Sequence, residues 1–552
     1  MISLPSMNSA LCALLLFFAA SALPGVEFPA LKVVEELAVQ RTPQLRSHVA
    51  TIGRVGLLTK RPAILLDDRG HLLGPMIAAI DGTPAPYLLF RMDGSRVPLE
   101  IVEENEKRGL VLLRLAAGVP ERMKPAMLAS GPGKGRWFQF PMVSPEPRVG
   151  EPVSFPTGRR TRPEDEDEPL EDAGMLEIDA VPVLGSPIFD MAGQLCAISV
   201  RRGENSTIAM PLSRVQESWK PLRELLPQEL GPSTYGTNLP KEKAWSQSLR
   251  EVLPSPAPYG LVINQGKSLS YSLLGTVIRE DGLILTKASD LGPSLSFRIG
   301  ETTHPAVLLA TDEETDLALL SVEASGLPVI DWVQAIDLRP GSLLVAPVLL
   351  SPDPQIQAFV VSGSFSHSLS SSSPRLEASA EVTSLGLIPE QAETSLRVAA
   401  VVPGSSAEKA GIAPGAVVIS FAGKPVSTRP ALVRLLAEHS VGELVKIGIE
   451  TEGETITHNI ELGPARPLPP ATGIDLRGPL TTVPSVRRGP FPDHLVHDLY
   501  LNAWDVGGPL FDSAGKAVAF NVAAVGDHRG FALDPATVRA AVDRMLARPL
   551  SH

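Results

Sequence analysis

A chain of 552 residues is too long for one hydrophobic core, and at about 150 residues per domain it predicts about three to four units. A net charge of -12 and a pI near 5.4 argue against binding to a phosphate backbone, which needs clustered Lys and Arg, so nucleic acid is not an expected partner. The 53 prolines and 46 glycines stay below the roughly 25–30% combined share that marks disorder, so they are expected to punctuate the turns of a β-rich fold.

The chain opens with an apolar run from Ala10 to Ala20 and a small-x-small step at Ala20-Ser21-Ala22, which predicts a signal peptide over 1–22, cleaved after Ala22. No Lys or Arg precedes the run, a departure from the usual signal, and the run is too short to span a bilayer comfortably. Export to a periplasm or cell envelope is the expectation. Cys12 would leave with the signal, so Cys196 would stand alone and no internal disulfide is expected.

Further along, Leu65 to Leu73 reads as a hairpin, and so does Val277 to Thr286 with Asp281-Gly282 at its turn. Glu164 to Glu168 is an acidic run, expected to be a solvated loop. The strongest organisational signal is a repeat: Gly185-Ser186-Pro187-Ile188-Phe189-Asp190-Met191-Ala192-Gly193 returns as Gly507-Gly508-Pro509-Leu510-Phe511-Asp512-Ser513-Ala514-Gly515. Each copy precedes an apolar strand and then a segment, Ile208 to Trp219 or Phe531 to Met545, that reads as a strand end entering a helix. Between them, serine-rich His367 to Pro374 reads as a flexible linker. Pro430 to His439 reads as a helix, and Val445 to Ile449 with Ile456 to Leu462 as strands.

Residues 498–512, D-L-Y-L-N-A-W-D-V-G-G-P-L-F-D, resemble the nucleophile loop of HtrA/Deg-type trypsin-like serine proteases, T-D-x-x-I-N-x-G-N-S-G-G-P-L, with Val506 at the serine. Ser384-Leu385-Gly386-Leu387, the run from Pro403 to Ile412 and Gly423-Lys424 resemble a bacterial PDZ domain, with Ala416 where such domains usually carry Asp. The resemblance implies a mainly β chain: two trypsin-like double β-barrel units plus one α+β PDZ domain. It divides the chain into a signal peptide at 1–22, a degenerate trypsin-like domain at 45–222 and a linker at 223–250. A second trypsin-like domain follows at 251–370 and 465–548, interrupted by the PDZ domain at 378–464.

Amide hydrolysis on this fold needs a nucleophilic oxygen, a base within hydrogen-bond reach and a carboxylate that orients the base. The family's L-T-N-x-H-V falls on Leu285 to Asp290, which puts Ser289 at the base, and Ile77 stands there in the first repeat. The family's D-L-A-L-L falls on Asp316 to Leu320, which keeps the aspartate, whereas the first repeat has Gly109. The serine becomes Val506 and, in the first repeat, Leu184. One of six catalytic places is intact, so the resemblance implies a catalytically silent member, with Asp316 kept for structure. A rescue site drawn from His304, His367, His494 or His497 with Ser289, Ser362 or Ser364 has no spacing in its favour, and Pro187 removes an N–H beside Ser186.

No metal spacing such as H-E-x-x-H occurs, and no metal or cofactor is expected. The implied partners are polypeptide C-termini or unfolded protein, held by strand addition. Their carboxylate would lie at Ser384, Leu385, Gly386 and Leu387, with Leu432, Leu435 and Leu436 setting the apolar preference. A homo-oligomer stays open, as do two other readings: an active serine endopeptidase with a non-standard site, and a structural part of an envelope assembly.

Overall fold

A computed structural model describes the chain from Phe28 to Ala547. It leaves out 55–59, 78–85, 134–136, 144–150, 161–174, 203–205, 234–241, 266–269, 350–357, 370–382, 392–394, 402–404, 429–431, 465–484 and several breaks of one or two residues. The expected signal segment, the acidic run at 164–168 and most of the serine-rich linker lie outside the described residues.

The architecture is mainly β, as two double-barrel units and an inserted module. In the first unit, six strands from Val49–Arg54 to Leu110–Leu115 close a barrel, with the last strand paired to the third. A second sheet, running from Trp137–Gln139 to Thr207–Pro211, is completed by the Arg160–Ile178 bridge between its outer strands. The second unit repeats the first barrel's strand order over Tyr259–Gln265 to Leu317–Val322. Its other barrel takes two strands, Leu343–Leu349 and Ala358–Leu369, from before the inserted module and four, His494–His497 to Arg529–Leu533, from after it. The alternation of apolar residues and tight turns thus produces closed ladders that leave few edges unpaired.

Both repeated segments enter helices as expected, at Leu212–Ser218 and Pro535–Ala547. Asp534 caps the latter by accepting from the N–H groups of Ala536 (2.8 Å) and Thr537 (2.9 Å), and Pro535 occupies its first turn, where a missing N–H costs nothing. Its Val538, Ala541 and Met545, at helical spacing, are buried in a core that joins the unit's two barrels.

Three features differ from the sequence-based expectation. Pro29–Arg46 forms an 18-residue helix whose Leu31 and Val34 pack with Trp137, Met191, Trp245, Leu343 and Val345, so one helix is buried against both units. Within the expected linker at 223–250, Glu242–Glu251 is helical and buries Trp245, which meets Trp137 edge-on at 4.3 Å between ring centroids. His367 belongs to a barrel strand, opposite Val496, and is enclosed by Glu151 of the first unit and Arg529. Short apolar stretches buried by distant partners do not show those partners locally.

The inserted module is an antiparallel sheet in the spatial order Leu387–Gln391, Leu396–Val401, Val417–Phe421, Leu444–Thr451 and Glu454–Glu461, with its own apolar core. Thr383–Ser384 pairs with Gly463–Pro464 where the chain enters and leaves it. No described helix is long and apolar enough to cross a membrane.

Candidate functional site

The strand Leu283–Lys287 delivers Ser289 to Asp316. The Ser289 N–H donates to Asp316 Oδ1 at 2.9 Å and its hydroxyl to Oδ2 at 2.8 Å. Lys287, fully buried, places Nζ 3.2 Å from Asp316 Oδ2 and 3.3 Å from Asp290 Oδ2, and donates to the Arg487 carbonyl at 2.9 Å. Burial pushes the Asp290 carboxyl up, and the adjacent Lys287 ammonium opposes that shift. Asp316 therefore orients a hydroxyl and neutralises a buried ammonium, and a hydroxyl in that place is no base at neutral pH.

Asp316 has φ +59°, and Gly109, its counterpart in the first repeat, has φ +64°. Both repeats require left-handed backbone here, which Gly adopts freely and Asp tolerates better than most side chains. The first repeat keeps the conformation and drops the carboxylate; the second keeps both.

Val506 is wholly buried in the core of the last barrel, among residues that include Leu344, Leu499 and Leu510. Its carbonyl accepts from Leu274 N–H at 3.3 Å, and the Gly507 carbonyl accepts from the Thr276 hydroxyl at 3.1 Å, so the loop is sewn to the neighbouring barrel. The Asp505 carboxylate accepts from Leu349 N–H at 2.6 Å and Asn502 N–H at 2.7 Å. Trp504 donates to the Leu349 carbonyl at 3.1 Å and packs with Leu261, Ile263 and Leu274. Apolar packing and backbone pairing fill the space between the barrels at this point, and Val506 offers no nucleophilic atom.

The first repeat brings its three places together as well. Ile77 is buried with its N–H bonded to the Tyr87 hydroxyl at 2.9 Å, and Met76 N–H donates to the Gly109 carbonyl at 2.8 Å. Gly185, beside exposed Leu184, lies so near that a Cβ would come 2.7 Å from Pro75 Cα. Isoleucine, glycine and leucine supply no acid, base or nucleophile.

Of the rescue residues, His367 shares a hydrogen bond through Nδ1 with the Ser366 hydroxyl at 2.9 Å and faces Glu151 through Nε2. Ser186 is buried, and its N–H donates to Ser199 Oγ at 3.0 Å and to the Val183 carbonyl at 2.9 Å. His497 Nε2 bonds Asn521 Oδ1 at 2.8 Å, and burial pushes its pKa down to about 4. His494 Nδ1 bonds the Pro492 carbonyl at 2.8 Å. His304 lies on the strand Thr302–Asp312, opposite Phe297. Among the described residues no group of acidic, His or Cys side chains could hold a metal ion.

In the inserted module, Leu387–Gln391 is an outer strand of the sheet, preceded by the 384–387 loop. The Leu385 carbonyl accepts from Ala407 N–H at 2.9 Å, which ties the loop to the short helix Ser406–Lys409. Gly386 has φ +74°, and a Cβ there would lie 2.1 Å from the Ser405 side chain. Its smallness is thus required by the helix cap, not only by an approaching ligand. Leu385, Leu432 and Leu435 are buried in the module's core, whereas Leu436 is only partly buried at its rim. Of the three leucines expected to set an apolar preference, Leu436 alone retains appreciable surface, because helical periodicity marks core and groove positions alike.

A PDZ domain model matches residues 397–451, beginning just beyond that outer strand. Among curated proteins the chain is similar to "Periplasmic serine endoprotease DegP" of Salmonella typhimurium, 45% identical over 65 residues, which cover 12% of this chain and 14% of that protein. It is also similar to "Serine protease HTRA1" of Xenopus tropicalis, 37% identical over 76 residues, covering 13% of this chain and 16% of the other. A solved serine endoprotease from Yersinia pestis aligns over 41% of this chain and all of its own length at 18% identity, with a TM-score of 0.20.

Proposed function

We propose that this chain, which carries a PDZ domain and is similar there to HtrA-type proteases, is an exported pseudoprotease that binds polypeptide C-termini or unfolded segments without cleaving them. The observation that carries this reading is the outer strand Leu387–Gln391, an edge free of strand partners among the described residues and led by the Ser384–Leu387 loop. An extended peptide would add to that edge, with its carboxylate held by backbone N–H groups of the loop. The periplasmic relative supports export, and the substitutions at Ser289 and Val506 support the loss of hydrolysis. The role is that of a scaffold, sensor or chaperone.

Peptides ending in an apolar residue are expected to bind when the carboxylate is free and to bind more weakly when it is amidated. Each charge-assisted hydrogen bond lost is worth about 1.5–3 kcal/mol. Equal titrations of the two forms by fluorescence anisotropy would refute end recognition.

Purified protein is expected to leave unfolded casein intact, and Val506→Ser alone is expected to restore nothing. Loss of a nucleophile or base of such a triad costs on the order of 10⁶ in kcat, about 8 kcal/mol, which one buried hydroxyl without an imidazole cannot recover. Casein cleavage that survives purification and disappears in Ser289→Ala would overturn the inactive reading.

A further inference from the structure

We propose that Pro389 shortens the peptide-binding edge, so that a ligand is gripped by its carboxylate and last two residues and gains little from a longer backbone. The inference rests on the C-terminus-binding reading above and adds the length of ligand that is read.

Pro389 lies directly opposite Val398 on the neighbouring strand. Val398 N–H donates to the Ala416 carbonyl at 2.7 Å, and the Val398 carbonyl accepts from Gly415 N–H at 2.7 Å. Both polar groups of Val398 are therefore turned away from Pro389. In an antiparallel ladder, directly opposed residues either exchange both hydrogen bonds or neither, so this is a non-hydrogen-bonded pair. The backbone positions of Pro389 are turned outward, to the edge where a peptide would pair.

Proline has no N–H to offer there. The irregularity in register falls on the neighbouring strand, because Ile388 opposes Ala400 while Pro389 opposes Val398. The alternation along Leu387, Pro389 and Gln391 is thus unbroken, and these three share the outward direction. The edge presents a donor and an acceptor at Leu387, an acceptor alone at Pro389, and a donor and an acceptor again at Gln391.

A peptide with its carboxylate in the 384–387 loop reaches Leu387 with its last residue and Pro389 with its third from the end. The carbonyl of that third residue finds no N–H where a strand partner would supply one, and the ladder is interrupted before Gln391. The same proline also blunts the edge against pairing with other strands, a common use of proline on exposed edges.

The test is calorimetric titration of the full chain with a dipeptide and a pentapeptide that share the same apolar C-terminal residue and free carboxylate. The wild type is expected to bind both with similar affinity. Pro389→Ala restores the N–H and is expected to tighten the pentapeptide about two- to twelvefold, the worth of one net hydrogen bond, and to leave the dipeptide unchanged. Pro389→Val, better suited to a strand, should act in the same direction, which guards against a misfolded single variant. If the wild type already prefers the pentapeptide by that factor and neither variant changes the preference, the proline is not limiting, although C-terminus binding stands. If neither peptide binds wild type or variants, both this inference and the reading beneath it fail.

Discussion

Asp316→Ala is expected to lower the stability of the second unit by about 3–5 kcal/mol, the usual cost of breaking a buried ion pair from one side. The change removes the acceptor for Ser289 N–H and hydroxyl and one of two carboxylates beside the fully buried Lys287 ammonium. Alanine also inherits the left-handed backbone at φ +59°, which costs a non-glycine residue roughly 1–2 kcal/mol. Asp316→Gly isolates the two effects: it loses the same contacts but adopts the conformation that Gly109 has in the first repeat, so it should be less destabilised than the alanine variant. Denaturant unfolding of the full chain, followed by tryptophan fluorescence and circular dichroism, measures the difference. A wild-type midpoint for Asp316→Ala would mean that the carboxylate contributes nothing to the fold.

Two matching nine-residue turns made two similar units legible, because a turn followed by an apolar strand and a helix start leaves a local signature in each copy. The two bonds of Ser289 to Asp316 were not legible in the sequence, since they depend on how two loops of one barrel meet. The N-terminal helix was missed despite buried Leu31, Val34, Ala38 and Leu45 at near-helical spacing. Its packing partners, Trp137, Trp245 and Leu343, lie about a hundred to three hundred residues away, so nothing nearby announces what it buries. Pro389 carried a readable signal, since proline inside a strand-like run demotes it to an edge. Which edge, and which way its backbone faces, came only from the Val398 hydrogen bonds.

Asp498→Asn is expected to raise stability at neutral and alkaline pH and to expose an acid sensitivity that the wild type conceals. Burial pushes the Asp498 carboxyl up to about 7 from an ordinary value of 3.8, against the lowering effect of the Ser364 N–H. A folded-state pKa above the unfolded one means that its stabilising contribution is fully present below pH 3.8 and is lost as the pH rises through 7. At about 1.4 kcal/mol per unit, the loss is about 4 kcal/mol.

The preceding residue has the opposite sign. His497, buried against Asn521, titrates near 4 instead of 6.5, so its contribution is present above 6.5 and is lost as the pH falls toward 4, by about 3 kcal/mol. Between pH 4 and 6.5 the two slopes nearly cancel. Asparagine keeps a carbonyl oxygen for Ser364 N–H and removes the titration, leaving the histidine slope alone. Urea unfolding at intervals from pH 4.5 to 8 should show a shallow profile for wild type and, for Asp498→Asn, stability that falls clearly with acid below 6.5. Parallel profiles for the two proteins would mean that Asp498 is already ionised in the fold, so that its burial is compensated by contacts stronger than the Ser364 bond.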